Sequence, residues 1–276
     1  MTINPINLLL GFILSVLIAR TAQRAHSLSQ SGALGAVIVG TLIFGLGGWA
    51  WGVLLIAFFI SSSALSHFRG ARKASLAEEF AKTGQRDITQ VLANGGWGAG
   101  LTILALFFPE RLPIFAAFVG AMAAVNADTW ATELGVLNPR PPRLITNGRT
   151  VSVGTSGAIS VWGTASAIAG ALFIGLLAAL LSPLEGSLPA ARLVWLVVCA
   201  VLGGLGGALL DSLLGATVQG IYWCERDQKE TEKRIHTCGE HTRLRRGWAW
   251  IDNELVNFIC SLVGSAIAWA LWVVVL

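Results

Sequence analysis

The sequence predicts an all-α fold, a polytopic bundle of about eight membrane-spanning helices, and three observations lead to this prediction. The 276 residues are 54% hydrophobic and 12% charged, with a mean hydropathy of +0.69. Apolar residues gather in runs of about 20, the length of helix that crosses a bilayer. Lys and Arg gather in the segments between alternate runs. A water-soluble domain has neither this composition nor this pattern.

The predicted helices follow the apolar runs in order along the chain. They lie at about residues 6–22, 31–47, 49–66, 91–108, 113–134, 155–181, 193–221 and 251–276. Each run is long enough to span a bilayer, and each of the first seven ends at polar, charged or glycine-rich sequence. The whole chain, 1–276, is therefore predicted to be a single transmembrane domain, and we expect an integral protein of the bacterial plasma membrane.

The positions of Lys and Arg predict the orientation of the bundle. Seventeen of the 19 fall at one end, in the first connection and in the segments 66–90, 138–150 and 222–248. Only Arg111 and Arg192 fall at the other end. Short loops rich in these residues stay in the cytosol, so the three segments are predicted to be cytosolic, with both termini outside. The net charge of +4 is then a topology signal, and it gives no reason to expect a nucleic-acid partner.

Polar residues from distant segments are predicted to meet at the cytosolic ends of the helices. They are Arg86, Gln90 and Asn94 before and in helix 4, Asp128 and Glu133 at the end of helix 5, Gly154 to Gly157 at the start of helix 6, Asp211 and Gln219 in helix 7, and Asp252, Asn253 and Asn257 at the start of helix 8. Ionised residues in spanning segments are costly unless they are paired, hydrated or bound to metal. Their presence therefore indicates a functional site.

Three of these residues, Asp128, Glu133 and Asp211, are carboxylates that would repel one another unless a cation joined them. Mg²⁺ prefers oxygen ligands and is commonly shared between carboxylates and substrate phosphates. Asp128 and Glu133 are five positions apart, about 140° around a helix. They can share one ion only if the helix is broken; otherwise each meets a different partner. The sequence leaves both arrangements open.

A site for phosphate is predicted in the same layer. The segment Gly154-Thr155-Ser156-Gly157 is expected to open helix 6, where free backbone N–H groups, the helix dipole and two hydroxyls would bind an anion. Arg86 could add charge-assisted hydrogen bonds. No Gly-Lys-Ser/Thr follows a glycine loop anywhere in the sequence, so nucleotide chemistry of the P-loop class is excluded.

These motifs resemble those of a known integral-membrane family. The matching pieces are Gly84-Gln85-Arg86-Asp87 with Gln90 to Gly95, the segment NADTWATELG at 126–135, GTSGAIS at 154–160, Asp211 to Ala216 with Gln219, and Asp252 to Asn257. The family contains the plant and cyanobacterial phytyl-phosphate kinase of tocopherol synthesis, together with uncharacterised bacterial, archaeal and animal relatives. The pieces run in family order from about residue 60 to the C-terminus.

The resemblance implies transfer of a phosphoryl group from a nucleoside triphosphate, with CTP expected, to a prenyl monophosphate such as phytyl phosphate at the cytosolic interface. By the same resemblance, Asp128, Glu133 and Asp211 hold Mg²⁺ or position the nucleophile. The polar residues expected to bind the substrates are Arg86, Gln90, Asn94, Asn126, Thr155, Ser156, Ser212, Gln219, Asn253 and Asn257. The expected partners are the prenyl-phosphate lipid and the lipids of the membrane.

The segment 222–248 also carries candidate zinc ligands. Relatives often have two cysteines and a later His-Cys here, but this chain reads WCERDQKETEKRIHTCGEHT at 223–242. Cys224, His236, Cys238 and His241 could form a structural zinc site with four nitrogen and sulfur ligands. Their spacing is irregular and one expected thiol is missing, so a reduced, solvated loop is the alternative.

Two other functions stay open at this point. A transporter or flippase would bind cations or protons on its buried carboxylates, but it predicts polar residues near the bilayer midplane. A protein with only a structural role leaves three buried acids unexplained. The small-residue faces of predicted helices 6 and 7 have two interpretations of their own, as a groove for a lipid tail or as surfaces for close helix packing.

Overall fold

A computed structural model of the chain describes residues 4–68 and 85–274. Its helices are α1 (Pro5–Arg24), α2 (Gln30–Leu42), α3 (Trp49–His67), α4 (Ile88–Leu104), α5 (Leu112–Gly135), α6 (Val161–Leu181), α7 (Ala190–Thr217) and α8 (Asn253–Val274). A π-helical turn, Ile43–Gly47, extends α2, and a 3-10 turn, Ser182–Leu184, extends α6. Most of the predicted loop 66–90, with the motif residue Gly84, lies outside the described residues.

The predicted polytopic helical bundle is confirmed. Within the described ranges, seven helical segments are long and apolar enough to cross a membrane. The remaining helix, α4, has 17 residues. Its apolar run was predicted to start at 91 but the helix starts at Ile88, because Asp87 and Gln90 form a capping box that begins it earlier.

Helix α5 is the centre of the bundle. Every residue from Ile114 to Ala127 is buried, and the helix contacts α3, α4, α6, α7 and α8. Many Ala residues lie between its Phe and Val residues. Because Ala side chains are small, several helices can approach α5 on all sides. A helix buried on all sides holds its side chains in fixed positions, so α5 is a rigid support for the polar residues at its C-terminal end.

Glycines set the contacts between α5, α7 and α8. A Cβ atom at Gly203 would lie 2.6 Å from the Gly264 carbonyl oxygen, and one at Gly207 would lie 2.6 Å from the Ala124 methyl group. Helices α6 and α7 are equally close, because a Cβ at Gly204 would lie 2.5 Å from Ala171 Cβ. The small-residue faces of these helices are therefore packing surfaces, and the predicted groove for a lipid tail between α6 and α7 is wrong.

The helices alternate in direction, so their connections fall at two ends of the bundle. Asn4, Gly47, Arg111 and Glu185 line one small cavity and so mark the first end, here called the far end. The opposite end, called the site end, carries the connections rich in Lys and Arg and the C-terminal part of α5. The separation of charges between the ends agrees with the predicted alternation; that the site end is cytosolic stays a prediction.

The site end also contains β-structure that the all-α prediction did not include. Strand β1 (Arg143–Leu144) pairs with β2 (Ala158–Ile159). Strand β3 (Ile221–Cys224) lies between β4 (Lys229–Thr231) and β5 (Arg243–Arg246) in an antiparallel sheet. These strands lie in segments predicted to be loops or helix, and they are too short to show an alternation of polar and apolar residues in the sequence.

Candidate functional site

An open cavity at the site end contains the largest group of predicted site residues. It lies between the ends of α5, α6 and α7 and the segment 153–160, and three carboxylate residues line it: Asp128, Asp211 and Glu232. We call it the acidic cavity. Its other polar lining residues are Thr132, Thr155, Ser156, Ser160, Thr164, Ser212, Gln219 and Asn253. The predicted residues Thr155, Ser156, Ser212, Gln219 and Asn253 are thus brought together with Asp128 and Asp211.

The helices place Asp128 and Asp211 at similar depth. Each lies six or seven residues before the end of its helix, Gly135 in α5 and Thr217 in α7, which is about 10 Å along a helix axis. The carboxylates of Asp128, Asp211 and Glu232 are close enough to interact electrostatically. They belong to three different elements, so their proximity is a product of the fold and not of local sequence.

Among the described residues that line the acidic cavity, none is Lys or Arg. Arg246 lies behind the wall formed by the segment 153–160 and donates hydrogen bonds to the carbonyl oxygens of Gly215, at 2.7 Å, and Ser156, at 3.3 Å. Burial lowers the pKa of the Arg246 guanidinium, while Glu230 and Glu232 partly offset this effect. The polar groups that the described residues present in the cavity are therefore carboxylates, hydroxyls and amides, without a cation among them.

The segment Gly154–Gly157 does not open a helix, so the predicted anion site at a helix N-terminus is wrong. Helix α6 begins at Val161, and the Ser160 side chain caps it by accepting a hydrogen bond from the Gly163 N–H at 3.0 Å. Gly154 and Gly157 have φ angles of +96° and +84°, which favour a turn over a helix. Strand β2 then separates this turn from α6.

The turn still delivers its hydroxyls to the acidic cavity. Ser152 and Thr155 share a hydrogen bond at 3.0 Å, and the Ser156 hydroxyl donates to Gln219 Oε1 at 3.3 Å. A Cβ atom at Gly157 would overlap Ala216, so the turn packs directly on the end of α7. Thr155 and Ser156 are therefore held beside the carboxylates without a helix dipole.

Gln219 connects this turn to the three-stranded sheet. It is 2% exposed, and its Nε2 donates a hydrogen bond of 2.9 Å to Glu232. Sequence reasoning missed Glu232, because it stands in a run of charged residues that is typical of a solvated loop. No local signal separates it from Glu230; only the turn of the chain after β4 brings it to the cavity.

Glu133 does not line the acidic cavity. Helix α5 is unbroken, so the two carboxylates of NADTWATELG, Asp128 and Glu133, meet different partners. Their arrangement does not support the prediction that Glu133 shares one metal ion with Asp128 and Asp211. Glu133 accepts a 2.6 Å hydrogen bond from the Ser66 hydroxyl and interacts electrostatically with Arg86. A signal for this was in the sequence, since α3 carries four serines near its end.

Arg86, Gln90 and Asn94 line a second cavity, between α1, α2, α3 and α4. We call it the apolar cavity, because its other lining residues are almost all aliphatic, aromatic or glycine. Arg86 donates a 2.7 Å hydrogen bond to the Ser63 hydroxyl and lies over the Phe59 ring. Burial lowers the pKa of the Arg86 guanidinium, and Glu133 partly offsets this effect. These three residues therefore form a polar end on an apolar space.

The remaining predicted residues have other surroundings. Asn126 is fully buried, donates to the Gly170 carbonyl oxygen at 2.8 Å and accepts from the Ser61 hydroxyl at 3.0 Å, so it joins α3, α5 and α6. Asn257 is on α8 but does not line the acidic cavity. Asp252 accepts a hydrogen bond from the Leu255 N–H at 2.9 Å, as a cap of α8 does.

Comparison with known proteins finds relatives in a plant and in an archaeon. It is 32% identical to Protein PGR of Arabidopsis thaliana over 274 residues, which cover 94% of this chain and 93% of that protein. It is 30% identical over 263 residues to the membrane protein MJ0933 of Methanocaldococcus jannaschii, covering 95% and 93%. Protein VTE6, chloroplastic, of Arabidopsis thaliana is 23% identical over 247 residues, covering 87% and 64%.

No solved structure matches the chain. The chain matches a protein-family description from residue 13 to residue 265. This range includes every residue that lines the acidic cavity and the apolar cavity. The chain belongs to the family described as integral membrane protein DUF92.

Proposed function

We propose that the protein is a membrane phosphotransferase that moves the terminal phosphoryl group of a nucleoside triphosphate, with CTP expected, onto a prenyl monophosphate and gives the prenyl diphosphate. The observation that carries this proposal is the acidic cavity, in which Asp128, Asp211 and Glu232 face a hydroxyl-rich turn at one end of the bundle. The resemblance of the motifs to the family that contains phytyl-phosphate kinase supports the same reaction.

The donor atoms of the acidic cavity are of the chemical type that Mg²⁺ prefers. Carboxylates, hydroxyls and the Gln219 amide oxygen are all hard oxygen ligands, and Asp128 and Asp211 come from rigid helices. Asp128 and Asp211, with Glu232 beside them, are the residues that would hold the ion. When bound there, Mg²⁺ would neutralise charge on the phosphate groups of the nucleotide. This also explains how a cavity lined by acids could accept a substrate that is itself an anion.

The residues of the chain would act mainly by binding and orienting the reactants. An oxygen of the acceptor phosphate forms a bond to the terminal phosphorus of the nucleotide, and the bond from that phosphorus to the nucleoside diphosphate breaks. A phosphate monoester loses its second proton near pH 6, so the acceptor is already ionised and needs no general base. Hydroxyls of Thr155 and Ser212 would donate hydrogen bonds to phosphate oxygens, and Ser156 would do so on releasing Gln219 Oε1. Positioning would supply most of the catalysis.

The apolar cavity supports a lipid as the acceptor. It opens between helices that carry exposed apolar side chains, and Arg86, Gln90 and Asn94 form its polar end. A prenyl monophosphate has the same division, with an apolar tail and an anionic head that Arg can bind. Glu133 interacts electrostatically with Arg86 and is on the same helix as Asp128, so α5 carries residues of both polar groups.

A transporter is less well supported by the same geometry. Asp128 and Asp211 lie within about 10 Å of the ends of their helices, whereas a coupling-ion site in a transporter lies near the bilayer midplane between broken helices. Helices α5 and α7 are continuous. The two functions can be separated by supplying the substrate on one side of a sealed vesicle and measuring product and transport in the same sample.

The test is an assay of the purified full-length protein in detergent or in vesicles. Phytyl or geranylgeranyl phosphate is mixed with Mg²⁺ and with CTP, ATP, GTP or UTP in turn, and prenyl diphosphate and nucleoside diphosphate are measured. We expect the two products in equal amounts with the preferred nucleotide. Asp252→Asn is the matched control for the same carboxylate-to-amide change at Asp128. It should keep the activity, because Asn caps a helix as well as Asp and residue 252 is outside the cavity. A folded protein that forms no diphosphate with any nucleotide would refute the proposal.

A further inference from the structure

Four side chains of β3 and of the connections between the strands of the three-stranded sheet meet in a cluster that the proposed reaction does not use. Cys224, Asp227, His236 and Cys238 each direct one donor atom to a common point, and these four atoms lie within 4.8 Å of one another. Cys224 Sγ is 3.5 Å from Cys238 Sγ, His236 Nδ1 is 3.3 Å from Cys238 Sγ, and His236 Nδ1 is 3.0 Å from an Asp227 oxygen. Neither cysteine is in a disulfide.

The local chain geometry explains why these residues meet. Cys224 is the last residue of β3, and Asp227 lies in the turn that leads to β4, where Gln228 has a φ angle of +51°. His236 and Cys238 lie in a second turn, closed by a 2.9 Å hydrogen bond from the Gly239 N–H to the His236 carbonyl oxygen. Gly239 has a φ angle of +86°, which this turn requires. Two tight turns thus face each other with one pair of donors each.

We propose that Cys224, Asp227, His236 and Cys238 form a structural site for a transition metal of the zinc class. Thiolate sulfur, imidazole nitrogen and carboxylate oxygen are the three ligand types that zinc binds in proteins, and structural zinc sites have four such ligands in a tetrahedron. On such an ion two sulfurs are about 3.8 Å apart, sulfur and nitrogen about 3.6 Å, and nitrogen and oxygen about 3.3 Å, given the usual bond lengths. The three distances in the cluster follow the same order and are only slightly shorter.

The cluster corrects the ligand set predicted from the sequence. His241 is exposed and pairs through its backbone with Ile235, and Asp227 takes the fourth position. Cys224 is fully buried and His236 is 2% exposed. A site with four protein ligands leaves no position for a substrate, so its role is structural. Asp227 is exposed and Cys238 is half-buried, but the burial of Cys224 and His236 does not agree with a fully solvated loop.

The site has a consequence for the acidic cavity. Glu232 follows directly after β4, and β4 is joined to β3 through the turn that holds Asp227. The sheet is small and its strand β5 is mostly Arg, so apolar burial alone gives it little stability, as in other small metal-dependent units. A metal ion that ties the two turns together would hold Glu232 and its partner Gln219 in place.

The experiment measures metal in the full-length protein purified without chelators, by inductively coupled plasma mass spectrometry against protein concentration. We expect about one zinc per chain. Cys224→Ser, Cys238→Ser and His236→Asn should each lower this content about tenfold or more after dialysis against a weak chelator. Refilling with Co²⁺ should give the visible absorption bands of a tetrahedral thiolate site, a readout that does not depend on phosphotransferase activity.

Two matched controls keep the result clear of unfolding and of the other site. Cys199→Ser, in α7, and His241→Ala, close in sequence to the cluster, should retain the zinc of the unmodified protein. Glu232→Gln should retain it as well, even if turnover is lost, so the metal site and the proposed reaction can fail separately. The proposal is overturned by a folded protein without zinc that does not take up Co²⁺, by a Cys224–Cys238 disulfide in its place, or by loss of zinc in His241→Ala alone.

Discussion

The Ser66 hydroxyl donates a 2.6 Å hydrogen bond to the Glu133 carboxylate, so Glu133 faces α3 while Asp128, five residues earlier, faces the acidic cavity. One continuous helix thereby serves two polar groups. On one side are Asp128, Asp211 and Glu232; on the other, Glu133 interacts electrostatically with the partly buried Arg86. The two acids of this segment should therefore respond differently to the same change, from carboxylate to amide.

Asp128→Asn and Asp211→Asn are each expected to lower turnover about 100-fold or more, because each removes a candidate ligand for the ion that neutralises phosphate charge. Both should leave stability unchanged or higher, since each also reduces repulsion within a group of partly buried acids. The measurements are prenyl diphosphate formation as a function of Mg²⁺ concentration and thermal unfolding in detergent. Near-normal turnover of either variant at low Mg²⁺ would exclude that residue as a ligand.

Glu133→Gln is expected to lower stability by about 2 kcal/mol, because the partly buried Arg86 keeps its charge but loses the carboxylate that balances it. Gln can still accept the hydrogen bond from Ser66, so the change tests charge and not shape. Thermal unfolding of this variant should improve when Arg86 is also changed to Gln. If the double variant is no more stable than Glu133→Gln, the two residues are not energetically coupled.

Helix packing gives a prediction that involves no function. Gly203→Ala should destabilise the protein by about 1 to 3 kcal/mol, because the added methyl group would lie 2.6 Å from the Gly264 carbonyl oxygen. Gly96→Ala is the control, since its methyl group would lie 3.9 Å from the nearest atoms, both of Leu92. Unfolding temperatures of both variants in the same detergent test this, and equal values would show that α7 and α8 can move apart without cost.

The sequence predicted the parts of the fold that depend on helix length and charge. The runs of about 20 apolar residues became helices, and Asp128 and Asp211 were found because charge is rare in such runs. The turn at Gly154 to Gly157 was misplaced, because the apolar residues that follow it hide the start of α6 at Val161. Glu232 and Asp227 were missed, because their positions depend on pairing between short strands, which leaves no periodic signal.

The orientation of the bundle can be tested by labelling. We expect a membrane-impermeant thiol reagent to label Glu110→Cys in intact cells but to label Asn147→Cys only after the cells are opened, because Lys and Arg are concentrated at the site end. Both positions are exposed, and the four native cysteines would first be accounted for in the unmodified protein. Labelling of Asn147→Cys in intact cells would place the acidic cavity outside and contradict a role for cytosolic nucleotide.

The far end of the bundle gives a prediction for pH. Burial raises the pKa of the Glu185 carboxyl above its usual 4.5, and Arg111, 3.8 Å away, offsets part of the rise. The folded protein thus binds this proton more tightly than the unfolded chain. Its contribution to stability is complete below pH 4.5 and is lost as the pH rises through the folded-state pKa. The unfolding temperature of the unmodified protein should therefore fall relative to Glu185→Gln over this window.

Glu110→Gln, a change at an exposed carboxylate of the same end, is the control for that experiment. The unfolding temperature of Glu110→Gln should change with pH in the same way as that of the unmodified protein. The unfolding temperatures of the unmodified protein and of Glu185→Gln could instead differ by a constant amount, or the unmodified protein could gain as the pH rises. Either result would show that the Arg111 interaction outweighs burial.

The last prediction concerns the tail of the acceptor. Each methylene buried contributes about 0.8 kcal/mol, so an acceptor of roughly twenty carbons should be preferred strongly to one of about five, less the share that a long tail gains in the surrounding lipid.

If the tail lies in the apolar cavity, Ala36→Phe should fill part of it and reduce kcat/KM for the long acceptor by about tenfold, the effect of one or two lost methylenes. The short acceptor should be affected little, because its tail does not reach the new ring. Leu34→Phe, two residues away on the exposed face of α2, should change neither value. An equal loss for both acceptors in Ala36→Phe would indicate a general disturbance of α2, and no loss for either would show that the tail lies outside this cavity, in the bilayer itself.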